Sequence, residues 1–292
     1  MKRILVAGAT GFQGGAVVDH LLSGEYGEYE VFGLTRDAHG EAARALSARG
    51  VHVVEGDMRD DAEMGPLAEG MDGVYCVTTY FEDGVAAEIE QGETLATAAA
   101  AAGVPYFVLS SVAGADRDTG LEHFESKYAV ERHVRDLDLA ATVIRPVYFM
   151  QNVERMREEV LGGRLALPLE IETRLDLVDV SDVGRLVASA FADPDRFVGA
   201  SIDLAGDART LSELAEAVAA VLGRSVTAVH LPVEEYRAIA GDELADTYAW
   251  FNEHGYGIDV DALVPEYGFT PRTFEEYLRA SDVWSPPPRS AS

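Results

Sequence analysis

The residues with the clearest chemical potential form a glycine-rich turn near the start of the chain, and its members are Gly8, Ala9, Thr10, Gly11, Phe12, Gln13 and Gly14. An apolar run at residues 4–7 precedes this turn, and apolar residues recur at helical spacing over residues 16–22. Residues without a Cβ allow a tight turn from strand to helix, and they let backbone N–H groups approach a diphosphate at the helix N-terminus. We therefore predict a dinucleotide-binding turn that contacts its ligand through Gly8, Thr10, Gly11, Phe12, Gln13 and Gly14. The alternative is an ordinary strand-to-helix turn.

The end of the second predicted strand, residues 30–36, indicates which dinucleotide is bound. A site that selects NAD is expected to have an acidic side chain here, which accepts hydrogen bonds from the ribose hydroxyls. This sequence has Thr35 and Arg36 instead. A guanidinium group can hold a 2′-phosphate with two hydrogen bonds, whereas a carboxylate would repel it. We therefore predict NADP(H), with Arg36 on the 2′-phosphate; the alternative is a solvent-exposed arginine paired with Asp37.

Strands and helices alternate along the first half of the chain. Further strands are predicted at residues 51–57, 73–79, 106–111 and 141–145. This alternation is typical of an α/β protein with a doubly wound parallel sheet, in which ligands bind at the carboxyl ends of the strands. The side chains expected to line the pocket are therefore Asp57, Thr78, Thr79 and Ser111. Asp57 either accepts a hydrogen bond from the adenine amino group or caps the turn that follows it.

The alternating pattern loosens after residue 152. We predict a dinucleotide-binding domain over residues 1–152, completed by a return of the chain at about residues 174–205. Residues 153–173 and 206–283 are predicted to form a smaller α/β lobe for a substrate or partner, with helices that begin at capping boxes in residues 210–213 and 273–276. The proline-rich residues 284–292 are predicted to form a flexible tail.

The charge balance is strongly acidic. The chain has 51 acidic and 23 basic residues, for a net charge of −28, and its only lysines are Lys2 and Lys127. Such a surface repels itself unless salt screens it, so we predict a halophilic protein with salt-dependent folding. The alternative is an acidic interaction face in a protein from an ordinary cytoplasm. Direct nucleic-acid binding is not expected, because such binding depends on neutralising phosphates.

Apolar runs, the single cysteine and the histidines indicate where the protein is located and whether it binds a metal. No apolar run approaches the ~20 residues that span a bilayer, and no charged-then-apolar leader precedes the first strand, so we predict a cytoplasmic protein with no membrane association. Cys76 is the single cysteine and lies in an apolar run, which indicates a packing role. The histidines show no spacing typical of metal ligands, so no metal site is predicted.

Several motifs together resemble the NmrA-like family of atypical short-chain dehydrogenases, in particular its HSCARG-like branch. They are Gly8-x-x-Gly11-x-x-Gly14-Gly15, Leu34-Thr35-Arg36, Gly56-Asp57, residues 77–82, His123-Phe124-x-x-Lys127 and Arg145-Pro146-x-x-Phe149-Met150-x-Asn152. The resemblance implies a Rossmann domain that binds NADP(H) under a small lobe. Within these motifs Tyr80, Tyr148 and Asn152 are additional candidate cofactor contacts.

The resemblance also directs attention to Lys127. In active short-chain dehydrogenases a tyrosine four residues before a lysine acts as the proton donor, and the lysine holds the nicotinamide ribose; here His123 stands at the tyrosine position. Lys127 is therefore a candidate ribose ligand, or else a surface lysine. His123 either donates a proton, because imidazole titrates near neutrality, or merely begins a helix. Ser111 lies where the family has a serine that polarises a carbonyl, and Tyr80, Tyr128 and Tyr148 are possible substitute acids.

Two functions follow as hypotheses. The first is a sensor of the NADPH/NADP⁺ ratio that regulates a protein partner and has weak or no dehydrogenase activity. The second is an NADPH-dependent reductase of a quinone or another small carbonyl compound. The missing tyrosine favours the sensor. A homodimer is possible in either case.

Overall fold

The computed structural model describes residues 1–284. Its strands are β1 Lys2–Val6, β2 Tyr29–Thr35, β3 His52–Glu55, β4 Gly73–Val77, β5 Phe107–Ser110, β6 Ala141–Pro146, β7 Tyr148–Phe149, β8 Arg164–Leu167, β9 Leu175–Val178, β10 Ser201–Leu204, β11 Asp207–Arg209 and β12 Thr227–His230. Its α-helices are α1 Phe12–Leu22, α2 Glu41–Ala48, α3 Asp61–Ala68, α4 Gly84–Ala101, α5 Glu122–Asp136, α6 Arg157–Leu161, α7 Val180–Ala192, α8 Pro194–Phe197, α9 Leu211–Leu222, α10 Val233–Ala240, α11 Asp242–Glu253, α12 Leu263–Tyr267 and α13 Phe274–Ala280. Two 3₁₀ helices span Ala115–Arg117 and Met150–Met156.

The chain divides into two units. The first contains Met1–Pro146 and Val180–Asp203, and the second contains Val147–Asp179 and the chain from Leu204 onward. The sequence prediction placed the first boundary at residue 152 and the returning segment at about 174–205. In the structure β9, predicted as part of that return, pairs with β7 and β11 in the second unit.

The first unit is built on a seven-stranded sheet with the order β10-β6-β5-β4-β1-β2-β3. All strand pairs from β6 to β3 are parallel. The order reverses direction between β1 and β4, which is the switch point of a doubly wound sheet. The predicted α/β class with a Rossmann-type sheet is confirmed.

Buried apolar side chains hold the helices against this sheet. Leu5, Val74 and Phe107 are fully buried on the strands and share a core cluster with Leu95 on α4 and Val130 on α5. Burying each large side chain of this kind contributes about 1.5–3 kcal/mol. The parallel strands are therefore almost continuously apolar and end together at the edge where the polar residues begin.

The second unit contains small sheets and the later helices. A three-stranded sheet has the order β11-β9-β7, and β12 pairs with β8 in parallel. Both predicted capping boxes are present, since Thr210 and Thr273 cap α9 and α13. Trp284 is fully buried, and residues 285–292 of the predicted tail lie outside the described residues. Over residues 1–284, every helix is too short or too polar to cross a bilayer.

Candidate functional site

The glycine-rich turn connects β1 to α1 at the switch point of the sheet. Gly8 has a φ of +61°, and its carbonyl accepts a hydrogen bond from the N–H of Gly11 at 2.9 Å. A Cβ on Gly14 would lie 2.2 Å from the Gly8 carbonyl oxygen, so no larger residue fits without moving the backbone. Helix α1 begins at Phe12 with no side-chain cap, and the ring of Phe12 is 69% exposed. Gly11, the N-cap residue, thus supplies no side-chain acceptor to the first amides of α1, and the first residue of this helix is exposed.

Gln13 has a different role from the rest of the turn. Its Oε1 accepts hydrogen bonds from the Ser110 hydroxyl at 2.7 Å and from the Tyr75 hydroxyl at 3.4 Å. These partners lie on β5 and β4, so the Gln13 side chain ties the start of α1 to the sheet. A contact between Gln13 and the cofactor stays a prediction, and it concerns the backbone N–H because the side-chain oxygen already accepts hydrogen bonds from Ser110 and Tyr75.

Arg36 follows β2 and forms an ion pair with Glu82, with 2.6 Å between Nη2 and Oε2. Both side chains are about half exposed, at 57% and 49%. The neighbouring Asp37, expected as the alternative partner, instead accepts a hydrogen bond from the backbone N–H of His39. The guanidinium group of Arg36 therefore lies at the carboxyl end of the sheet and already holds a carboxylate.

Asp57 makes local contacts after β3. Its carboxylate accepts hydrogen bonds from the backbone and side chain of Arg59, with 3.0 Å to Nη2. These hydrogen bonds lower the pKa of Asp57. This geometry agrees with the turn-capping alternative for Asp57, and the adenine contact stays a prediction.

Lys127 lies on α5 and reaches the end of β4, where it is held by a buried carboxylate. Its Nζ is 2.9 Å from Oε1 of Glu88 and 3.2 Å from the hydroxyl of Thr78. The Lys127 side chain is only 14% exposed and that of Glu88 is fully buried. The alternative of a surface lysine is therefore wrong.

Glu88 is fully satisfied by hydrogen bonds. Oε1 accepts from the Thr78 hydroxyl at 2.9 Å as well as from Lys127, and Oε2 accepts from the Ser126 hydroxyl. Burial raises the pKa of Glu88, but the Lys127 charge and the accepted hydrogen bonds outweigh burial and lower that pKa below its usual value. The result is a buried, charged pair that fixes the position of the ammonium group.

Thr79 and Ser111 follow β4 and β5 at the carboxyl edge of the sheet. The backbone N–H of Thr79 donates to the side chain of Gln91 at 3.1 Å. Ser111 is 4% exposed, and its hydroxyl has no hydrogen-bond partner among the described residues. A buried hydroxyl without a partner is costly, so this atom is suited to a ligand that supplies one.

His123 is the second residue of α5, one turn before Lys127, and lies inside an aromatic cluster. Its ring lies 5.9 Å from the ring of Tyr80, 5.7 Å from that of Phe81 and 4.7 Å from that of Phe124. The Tyr80 hydroxyl donates to Glu122 at 2.5 Å. His123 therefore packs against aromatic rings, and the Tyr80 hydroxyl is hydrogen-bonded to a carboxylate.

Three other candidate residues have contacts of their own or belong to the second unit. Tyr128 lies under the guanidinium groups of Arg132 and Arg135. Tyr148 belongs to the second unit, where its hydroxyl is 3.0 Å from that of Tyr248 and burial raises its pKa to about 12. Asn152 is half-buried on a 3₁₀ helix of the same unit. Roles of Tyr148 and Asn152 toward a cofactor stay predictions.

Sequence reasoning missed Glu82, Glu88 and Gln91. A signal for two of them was present, since Glu88 and Gln91 fall on the same helical stripe as the buried Leu95. A carboxylate on the apolar stripe of a helix needs a buried partner, and Lys127 is one of the two lysines available. Glu82 offered no comparable signal, because it lies between β4 and α4 next to another acidic residue, where exposed carboxylates are common.

The structure also settles the role of Cys76. It is fully buried on β4, and burial raises the pKa of its thiol to about 12. A thiol with such a pKa is a poor nucleophile, so the predicted packing role agrees with the structure.

Comparisons with known proteins cover almost the whole chain. The model of the NmrA-like family matches residues 1–278. An NAD(P)H azoreductase of Xenophilus azovorans is 29% identical over 95% of this chain and 97% of its own length.

Two solved structures show the same fold. One is an NADPH-dependent quinone oxidoreductase of Escherichia coli in complex with NADPH, with a TM-score of 0.79 and 22% identity over 94% of this chain and 98% of that one. The other is NmrA, a negative transcriptional regulator, in complex with NADP, with a TM-score of 0.77 and 23% identity over 96% of this chain and 94% of that one.

Proposed function

The chain belongs to the NmrA-like family, and we propose that it binds NADP(H) through its first unit. The observation that carries this proposal is the turn from Gly8 to Gly14, which presents uncapped α1 amides at the switch point of a doubly wound sheet. Arg36 at the end of β2 supplies the cation for the 2′-phosphate. Two relatives of this fold were solved with the same nucleotide, which supports the proposal.

The residues beside the turn suit the nicotinamide half of this nucleotide. Lys127 would donate to the ribose hydroxyls, because its 3.4 Å contact with the Thr78 carbonyl is its weakest and can be exchanged. Ser111 would supply its unpartnered hydroxyl to the carboxamide or to a substrate. When bound, the nucleotide would supply a hydride; the protein residues here hold and orient it.

We propose further that the protein is a redox-state sensor with weak or no dehydrogenase activity. The observation that favours a sensor is the absence of a phenol one turn before Lys127, where His123 packs among aromatic rings instead. Lys127 itself is committed to Glu88, so it acts as a fixed cation and not as an acid. Regulation of a protein partner, membership of the HSCARG-like branch and a homodimer are parts of this proposal.

A second candidate is an NADPH-dependent reductase of a quinone or another small acceptor. The azoreductase relative, which is similar over 95% of the chain, favours this function. Quinones and azo compounds can take their proton from water after hydride transfer, so a missing tyrosine does not exclude their reduction.

One experiment separates the two functions. The purified protein is incubated in molar KCl with NADPH and a panel of quinones, azo dyes and aldehydes, while the nicotinamide absorbance and, separately, nucleotide binding are measured. Binding without turnover supports the sensor, and turnover of any acceptor above the enzyme-free rate assigns the reductase. Absence of both binding and turnover contradicts both functions.

A further inference from the structure

An acidic turn between β4 and α4 forms ion pairs with the two arginines beside the proposed adenosine site. This acidic turn consists of Tyr80, Phe81, Glu82 and Asp83. Glu82 holds Arg36 at 2.6 Å, and Asp83 lies 3.4 Å from Nη1 of Arg59, which also binds Asp57. The cations that follow β2 and β3 are thus both paired with one short segment.

We propose that Glu82 competes with the 2′-phosphate of NADP(H) for Arg36, so that NADP(H) releases the acidic turn and NAD(H) does not. The proposal rests on the assignment of Arg36 to the 2′-phosphate made above. A carboxylate and a phosphate oxygen bind a guanidinium in the same way, through short charge-assisted hydrogen bonds. Their negative charges repel each other, so a 2′-phosphate on Arg36 weakens the ion pair with Glu82, most strongly at low ionic strength.

The acidic turn is connected to the start of α5 as well as to Arg36. The rings of Tyr80 and Phe81 contact His123, and the Tyr80 hydroxyl donates to Glu122. Release of Glu82 therefore frees a segment that packs against α5, the helix that carries Lys127. A ligand shifts such an equilibrium only by its differential affinity for the two states. The 2′-phosphate supplies that difference, since it is the group that distinguishes NADP(H) from NAD(H).

The competition also sets a measurable penalty on NADP(H) affinity. Exposed ion pairs are weak, so loss of the Glu82 competitor should tighten NADPH binding about 2- to 5-fold. The same loss should leave NADH binding unchanged. Because salt screens exposed charges, the effect should shrink as KCl is raised.

The test is isothermal titration of NADPH and NADH into the wild-type protein, Glu82→Gln and a matched control, Glu69→Gln. Glu69 is exposed at the end of α3 and has the same charge, so its removal controls for the general loss of negative charge. Titrations are made at the lowest KCl concentration at which all three proteins are folded and again in molar KCl. We expect Glu82→Gln alone to tighten NADPH selectively. Equal Kd values for the two variants, or equal tightening of NADH, would overturn the proposal.

Hydrogen exchange gives an independent readout on the wild-type chain. The N–H of Gly84 donates to the Tyr80 carbonyl at 2.8 Å across the acidic turn. We expect this amide to exchange faster with saturating NADPH than with saturating NADH, and equal exchange contradicts the release of the turn. Failure of every protein to bind NADPH would refute the proposed function, whereas binding without a Glu82 effect refutes only this inference.

Discussion

Replacement of Lys127 with alanine would leave the fully buried carboxylate of Glu88 without its counter-ion. Glu88 would retain hydrogen bonds from Thr78 and Ser126, but both donors are neutral hydroxyls. Removal of one partner from a buried ion pair costs about 3–5 kcal/mol, because the remaining charge is uncompensated. We therefore expect Lys127→Ala to lower the free energy of unfolding by about this amount.

A double-mutant cycle tests this dependence of Glu88 on Lys127. Its second substitution is Glu88→Gln, which keeps the shape of the side chain and removes its charge. In the double variant no charge is left in the buried site, and the amide can still accept from Thr78. We expect the loss of stability in the double variant to be smaller than the sum of the two single losses by about 1–3 kcal/mol, which is a coupling energy typical of contacting residues.

The assay is urea unfolding at fixed molar KCl, at neutral pH and at about pH 5. In the wild type the pKa of Glu88 is lowered, so the pair stabilises the fold above the unfolded pKa and loses this effect as pH falls through the folded pKa. In Lys127→Ala burial acts without the opposing charge and raises that pKa. Protonation then relieves the buried charge, so the deficit of this variant should shrink at the lower pH.

Two results would refute this reasoning. The first is a loss below about 1 kcal/mol for Lys127→Ala, which would show that Glu88 is not a buried charge dependent on Lys127. The second is a double variant whose loss equals the sum of the losses of Lys127→Ala and Glu88→Gln, since the two side chains would then act independently.

Three further predictions concern cofactor selection, the glycine turn and the acidic surface. Arg36→Asp should weaken NADPH binding about 10- to 100-fold by titration calorimetry and NADH binding much less; equal losses would show that Arg36 does not contact the 2′-phosphate. Gly14→Ala should destabilise the protein by about 1–3 kcal/mol in urea, because its Cβ would lie 2.2 Å from the Gly8 carbonyl oxygen. The control Gly15→Ala, the next residue on α1, places its Cβ 3.6 Å from the Ala9 carbonyl oxygen, which is an ordinary contact, and it should be neutral or stabilising; similar losses for both variants would contradict the packing argument. The net charge of −28 predicts a Tm that rises from dilute buffer to concentrated KCl, and an unchanged Tm would exclude salt-dependent folding.

Local patterns in the sequence were sufficient to predict the strands β1 to β6 of the first unit. The run from β1 through the glycine turn to α1 is specified by neighbouring residues, and the apolar strands identify themselves by composition. The predicted strands overran at their carboxyl ends, where Asp57 and Thr79 lie beyond the last residues of β3 and β4. The residues wrongly added to these strands are polar and lie at the edge of the sheet. The prediction therefore misplaced the ends of the strands but included residues of the candidate site.

Long-range pairings could not be predicted in the same way. Glu82 lies 46 positions from Arg36, and the sequence offered Asp37 as a nearer acidic partner. An acidic chain contains many candidate carboxylates, and only the fold selects one. Gln13 illustrates the same difficulty, since its side-chain partner Ser110 is 97 positions away.

The proposed use of the glycine turn and Arg36 can be tested most directly by calorimetric titration of the wild-type protein in concentrated KCl with NADPH, NADP⁺ and NADH. We predict saturable binding of both phosphorylated nucleotides and weaker binding of NADH. No binding of either phosphorylated nucleotide would contradict the assignment of this site.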